Sequence, residues 1–276
     1  MRVRLDIAYD GTDFAGWAVQ PNRRTVQGTL EDALTTVLRL TEVTRLVVAG
    51  RTDAGVHATG QVAHVDLDLD DGVDLIRLTR RLSSLLRSTP DVVIKNVTRA
   101  PDGFDARFSP LARRYEYRLL DREELRNPLV RHRTVWTSTP LDIDLMNETA
   151  SSLIGLRDFG AFCKPREGAT TIRELQQFTW MRDDTGTLIA RLQADAFCHS
   201  MVRALVGACV EVGSARLALS ELGDVRDAAQ RTSDFKIMPA HGLTLTEVIY
   251  PPDEQLGLRA DLTRAKRDMT GHGSDS

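Results

Sequence analysis

The hydrophobic pattern of the first hundred residues constrains the fold more than any other feature. Apolar residues alternate with polar ones over residues 3–7, which is typical of a strand with one buried face. Residues 26–38 then place apolar side chains at helical spacing, with Thr25 as a plausible N-cap. Two short strands, a second helix and a further strand follow at residues 46–49, 63–67, 75–86 and 92–97. The order β-α-β-β-α-β is that of the ferredoxin-like split βαβ motif.

The remaining chain predicts a second set of α+β elements. Strands are indicated at residues 115–119, 174–182, 188–196 and 245–249, and helices at 143–154 and 201–212. The segment Asp183-Asp184-Thr185-Gly186 has the composition of a hairpin turn. We therefore expect two α+β halves, a domain at 1–105 and another at 106–258. Residues 259–276 are polar and are predicted to form a partly disordered tail.

Composition and charge restrict the class of protein. The longest near-apolar run, residues 204–213, is about half the length that crosses a bilayer, and the N-terminus lacks the apolar core of a signal peptide. These features predict a soluble cytoplasmic protein. The net charge of −3 neither requires nor excludes a nucleic-acid partner. Arginine greatly outnumbers lysine, which fits either genomic composition bias or bidentate phosphate contacts.

Known cofactor and metal motifs are missing from the sequence. It contains no GxxxxGK[ST], GxGxxG, HExxH or GxSxG pattern, so nucleotide folds, zinc proteases and serine hydrolases lack support. Cys163, Cys198 and Cys209 are too few and too scattered for a disulfide scaffold or a zinc site, and we predict free thiols.

The most unusual segment is GRTDAGVHA at residues 50–58, which joins two predicted strands. Its glycines allow close approach of the backbone to a ligand, and a loop on a rigid sheet is a common place for catalytic groups. An ionised Asp53 beside Arg51 could act as a nucleophile or as a base. The alternative is a tight turn in which Asp53 only caps the backbone.

The segment at residues 50–58 resembles the tRNA pseudouridine synthase A family, and the resemblance extends over most of the chain. Further matching blocks are YDGTDFAGW at 9–17, TVQGTLE at 25–31, FDARFS at 104–109, RRYEYR at 113–118, MVR at 201–203 and GLTL at 242–245. Three departures concern the lining of the site: Ala18 replaces a usual glutamine, Arg157 a common histidine, and His199-Ser200 a usual Tyr-His pair.

The resemblance implies two RRM-like halves, with mixed, mainly antiparallel sheets that meet at a central RNA-binding cleft. It implies isomerisation of uridine to pseudouridine at positions 38–40 of the tRNA anticodon stem-loop. Asp53 would be the catalytic residue, Tyr115 would stack on the uracil and Arg203 would ion-pair with Asp53. Arg51 and Arg107 would contact the RNA.

The implied reaction needs neither a cofactor nor a metal, and the family acts as a homodimer on tRNA, with no role for DNA or a membrane. Asp53 could attack C1′ covalently, or it could remove the 2′ proton to give a glycal. Two other classes of function stay open. One is a non-catalytic RRM-type RNA-binding module, although no RNP1-like strand is visible. The other is an aspartate-dependent nucleoside hydrolase that releases free uracil.

Overall fold

The computed structural model describes residues 1–70, 72–165 and 170–271, with side chains described to residue 265. The chain divides into two compact units. Unit 1 comprises Met1–Leu111 and Leu245–Met269, and unit 2 comprises Ala112–Thr244. Residues 245–258, which the sequence-based division assigned to the domain at 106–258, therefore pack with unit 1.

Unit 1 is an α+β structure with the predicted β-α-β-β-α-β order. Its elements are β1 Arg2–Tyr9, α1 Val26–Leu38, β2 Val47–Val48, β3 His57–Asp66, α2 Leu75–Leu85, β4 Val92–Arg99, β10 Leu243–Ile249 and α6 Leu256–Gly271. The sheet order is β4-β1-β3-β10, in which β1 is antiparallel to both β3 and β4, and β2 pairs briefly with β3. The α+β fold class is confirmed.

Alternation along β1 explains how unit 1 builds its core. Val3, Leu5, Ile7 and Tyr9 are all buried, whereas the residues between them are partly exposed. This is the period-two pattern of a strand with one buried face. The helix α1 begins where predicted, because the Thr25 hydroxyl accepts a hydrogen bond from the Gly28 N–H at 3.3 Å.

Unit 2 is also an α+β structure. Its elements are β5 Ala112–Leu120, β6 Val135–Trp136, α3 Ile143–Leu153, β7 Gly155–Asp158, β8 Ile172–Arg182, β9 Leu188–Ala194, α4 Met201–Gly213 and α5 Leu219–Ala228. The sheet order is β5-β9-β8-β7, with antiparallel neighbours, and β6 adds a short parallel pairing to β5. The predicted turn at 183–186 joins β8 to β9, and the Asp183 carboxylate accepts from Thr185 and Thr187.

The prediction of free thiols is wrong for two of the three cysteines. Cys163 and Cys198 form a disulfide with a Cα–Cα distance of 5.7 Å, although 35 positions separate them in sequence. Cys209 is free and buried in α4, and burial raises the pKa of its thiol to about 12. Pairing depends on tertiary proximity, which cysteine spacing does not encode.

The predicted tail at 259–276 begins inside α6, which continues to Gly271, and residues 272–276 lie outside the described residues. Within the described part of the chain, no helix is both long and apolar enough to cross a bilayer.

Candidate active site

The motif at residues 50–58 forms the connection from β2 to β3 in unit 1. Asp53 lies in this loop and is half-buried, whereas Arg51, two residues earlier, is exposed. The last residues of the motif, from His57 onward, already belong to β3. A half-buried carboxylate on a loop anchored by a strand is both restrained and accessible to a ligand, as catalysis requires.

Backbone hydrogen bonds hold the Asp53 loop against the segment that follows β1. The Trp17 N–H donates to the Thr52 carbonyl at 3.0 Å, and the Gly55 N–H donates to the Phe14 carbonyl at 3.3 Å. Gly16 has a φ of +96°, and a Cβ on it would lie 2.9 Å from the Thr52 carbonyl oxygen. Only glycine fits this conformation and this close approach. The sequence blocks at residues 9–17 and 50–58 therefore contact each other at one rigid turn.

A buried polar network beneath the loop fixes its position further. The Tyr9 hydroxyl and the Thr52 hydroxyl are 2.7 Å apart. The Gln61 amide nitrogen donates to the Tyr9 hydroxyl at 3.2 Å and to the Gly50 carbonyl at 2.9 Å. Gln61 has no exposed surface, and burial raises the pKa of Tyr9 to about 12. The network therefore connects β1 and β3 to Gly50 and Thr52, the two residues that flank Arg51 and precede Asp53.

Gln61→Leu should destabilise unit 1 because the Gly50 carbonyl and the Tyr9 hydroxyl each lose a donor in a water-excluded position. Unsatisfied buried groups cost about 1–3 kcal/mol each, so we expect the free energy of unfolding to fall by about 2 kcal/mol or more. Denaturant unfolding measures this change. Gln177→Leu, at an exposed position of β8, is the matched control. Equal stability of the two variants would contradict a structural role for the network.

His57 makes a structural contact at the start of β3. Its Nδ1 accepts a hydrogen bond from the Gly11 N–H at 2.9 Å, and the ring is buried. No group of three or more metal-ligating side chains occurs among the described residues. The histidine thus joins the start of β3 to the end of β1.

Arg107 lies on a separate turn of unit 1 that α6 stabilises. Its side chain is exposed, and its guanidinium lies 5.1 Å from the centre of the Phe108 ring. Arg264 of α6 forms an ion pair with Asp105 at 2.7 Å. Burial alone would raise the pKa of Asp105, but hydrogen bonds from the backbone of Phe108 and Arg107 and from Arg264 outweigh it and lower the pKa. The sequence analysis did not predict the ion pair between Arg264 and Asp105, because it assigned residues 259–276 to a partly disordered tail.

Tyr115 lies on β5 in unit 2 and is only 9% exposed. The ring of Phe197 meets it edge-on, with centroids 5.1 Å apart and an angle of 84°. Arg113 shares this face of β5 by strand alternation, whereas Arg114 and Arg118 lie on the opposite face. Arg118 pairs there with Glu116 and Asp183. Strand geometry therefore separates Arg113 from Arg114 and Arg118 in the RRYEYR block.

Arg203 lies in the first turn of α4, in unit 2, among buried residues. Its Nε donates to the Met238 carbonyl at 2.5 Å, and the Met238 N–H donates back to the Arg203 carbonyl at 3.2 Å. Burial raises the pKa of Tyr117, and the positive charge of Arg203 opposes that shift. Arg203 is therefore a half-buried cation in the first turn of α4, whose other residues are apolar.

Comparison with known proteins identifies the family. A family model described as tRNA pseudouridine synthase matches residues 149–251. A tRNA pseudouridine synthase A from Leifsonia xyli subsp. xyli is 58% identical, over 97% of this chain and 98% of the relative. The Cutibacterium acnes and Streptomyces griseus proteins of the same name are 55% and 52% identical, over 96% and 99% of this chain and 95% and 96% of their own lengths. The chain therefore belongs to the tRNA pseudouridine synthase A family.

Proposed function

We propose that this isomerase converts uridine to pseudouridine at positions 38–40 of the tRNA anticodon stem-loop, with Asp53 as the catalytic carboxylate. Membership of the family supports tRNA pseudouridylation as the reaction. The observation that carries the assignment of Asp53 is its place on the fixed loop between β2 and β3. The Tyr9–Gln61 network and Gly16 restrain the backbone on both sides of it.

The proposed reaction is an internal rearrangement. The N1–C1′ bond breaks, the uracil turns while it stays bound, and C5 bonds to C1′. C5 then loses its proton and N1 gains one, so neither oxidant nor water is consumed and no cofactor is required. Asp53 either attacks C1′ to form an ester that the turned base displaces, or removes the 2′ proton to give a glycal.

Access to the base requires that the target nucleotide leave the stem. Base flipping costs a few kcal/mol. Stacking on an aromatic ring returns ~1–3 kcal/mol per base, and we assign this role to Tyr115. We further assign Arg51 and Arg107 to contacts with RNA phosphates, since both are exposed cations in unit 1.

Arg203 is proposed as the counter-charge of Asp53. Its half-buried position in the apolar first turn of α4 supports this role, because a cation there needs an anionic partner. Arg203→Met should lower kcat by about tenfold. Arg203→Lys should be intermediate, since lysine keeps the charge and loses the planar fork.

Steady-state assays with saturating tRNA at pH 7 measure the effect. Arg216→Met removes an exposed arginine just beyond α4, one that pairs with Glu211, and serves as the control. Activity of Arg203→Met equal to that of the control would remove Arg203 from the mechanism.

The product of the reaction tests the whole proposal. Purified tRNA is incubated with the protein, digested to nucleosides and separated by chromatography. We expect pseudouridine, and expect it to disappear when U38, U39 and U40 are replaced together by cytidine. Unchanged uridine would indicate a binding module, and released uracil would indicate a hydrolase.

We also propose that the enzyme works as a cytoplasmic homodimer. The net charge of −3 supports a dimer, because two acidic chains can still line one shared basic cleft. The cytoplasmic location is supported by the tRNA substrate of the family.

A further inference from the structure

The exposed side of α2, continued by the short turn Leu86–Ser88, carries arginine and serine at helical spacing, together with the exposed apolar residues Ile76 and Leu85. We call it the α2 arginine face; its members are Arg77, Arg80, Arg81, Ser84, Arg87 and Ser88. The opposite side packs into unit 1 through Leu78, Leu82 and Leu86. The cations are therefore held on a fixed helix and not on mobile chain.

The α2 arginine face is positively charged. Among the described residues, none of its four arginines forms an ion pair, and α2 contains no acidic residue. Some other exposed arginines are paired with acids, such as Arg24 with Asp91 and Arg216 with Glu211. Four arginines on one exposed helix face, in a helix without acidic residues, form a positive patch that favours an anionic partner.

The face also borders a shallow groove that offers hydrogen-bond donors. The groove has a volume of about 600 Å³ and is lined by Val37, Arg81, Ser84, Leu85, Arg87 and Ser88. The guanidinium of Arg81 donates to the Val37 carbonyl at 2.5 Å, in the last turn of α1, which fixes that side chain. Arginine and serine are among the side chains that commonly contact phosphate oxygens.

The C-terminal end of the face leads into the start of β4, at the same end of the strands as the Asp53 loop. The turn at Ser88 leads to Asp91, whose carbonyl accepts a hydrogen bond from the Asp10 N–H at 2.9 Å. Asp10 follows β1, and the next residue, Gly11, binds His57 at the base of the loop. From Arg87 the face runs back along the helix for about 15 Å to Arg77.

We propose that the α2 arginine face binds the phosphate backbone of tRNA beyond the nucleotide that reacts. The inference rests on the proposed function, which supplies tRNA as the polyanion. Five aspartates in residues 66–74 precede α2 and would repel RNA near its start. The contact therefore centres on Arg80, Arg81 and Arg87, toward the end of the helix that leads to Asp91.

The test compares two double variants of equal charge. Arg80→Gln with Arg87→Gln removes two cations from the face. Arg216→Gln with Arg231→Gln removes two exposed cations from unit 2. Binding of full-length tRNA is measured by filter retention between about 50 and 300 mM salt, after thermal melting has shown that both proteins are folded.

The face variant should bind about tenfold more weakly near 100 mM salt. The slope of log K against log salt should fall by about 1 to 2, because each lost phosphate contact removes about 0.9. The control should stay within about twofold, with its slope unchanged. Equal behaviour of the two variants would overturn the proposal, and Arg80→Glu with Arg87→Glu checks it with a larger expected loss.

Product analysis separates this inference from the proposed function. If the unaltered protein forms pseudouridine but the face variant keeps the wild-type salt slope, the proposal that the α2 arginine face binds tRNA is refuted. The enzyme assignment then remains. If the face variant shows a lower salt slope but the unaltered protein forms no pseudouridine, the enzyme assignment is refuted. The α2 arginine face then remains an RNA-binding surface.

Discussion

Asp53→Asn should abolish pseudouridine formation while the Kd for tRNA stays within about tenfold of the wild-type value. Asparagine has nearly the same shape and can keep the loop geometry. It carries no charge, however, and can neither attack C1′ nor accept the 2′ proton. Affinity should persist because phosphate contacts dominate RNA binding. Single-turnover product analysis and filter binding measure the two effects separately.

The control for Asp53→Asn removes an equal charge from unit 1 at a different place. Asp68→Asn changes an exposed carboxylate just beyond β3 and should retain wild-type turnover. Turnover of Asp53→Asn within an order of magnitude of wild type would contradict the assignment. Loss of activity in Asp68→Asn as well would point to a general effect of charge.

The sequence was most informative where a local pattern decides local structure. The α1 helix, its Thr25 cap and the strand β1 follow from spacing and from one capping hydroxyl, and all are observed as predicted. The motif at 50–58 also marks a loop between strands, as expected. The strands on either side of the motif differ in length from the predicted strands at 46–49 and 63–67. β2 has only two residues, and β3 already begins at His57. Strand ends depend on pairing partners that lie far away in sequence.

The support of the Asp53 loop could not be predicted from spacing. Gln61 is one of several polar residues on β3 and precedes the apolar pair Val62-Ala63, which is a weak signal of a buried partner. Its partners, Tyr9 and the Gly50 carbonyl, are distant in sequence or belong to the backbone. The ion pair between Arg264 of α6 and Asp105 and the Cys163–Cys198 disulfide also join residues that are distant in sequence.

Charge roles also depended on the structure. In sequence, Arg118 and Arg80 are equivalent members of arginine-rich segments. In the structure, Arg118 is balanced by Glu116 and Asp183, whereas Arg80 belongs to a face without acids. Counting residues cannot distinguish a cation that supports the fold from one that meets a ligand.

Tyr115→Ala should lower kcat/KM for tRNA by about 100-fold, whereas Tyr115→Phe should stay within a few fold of wild type. The ring is proposed to act as a platform for the flipped uracil, and base stacking is worth ~1–3 kcal/mol, or up to about two orders of magnitude. Its edge-on contact with Phe197 at 5.1 Å holds the ring in one orientation. Phenylalanine keeps the ring and that contact.

Truncation of a residue only 9% exposed also costs packing, so Tyr115→Leu separates stacking from stability. Leucine fills most of the space but has no flat face, and we expect a melting temperature near that of Tyr115→Phe with activity near that of Tyr115→Ala. Wild-type activity in the leucine variant would refute stacking. If the phenylalanine variant were as inactive as the alanine variant, the hydroxyl and not the ring would carry the function of Tyr115.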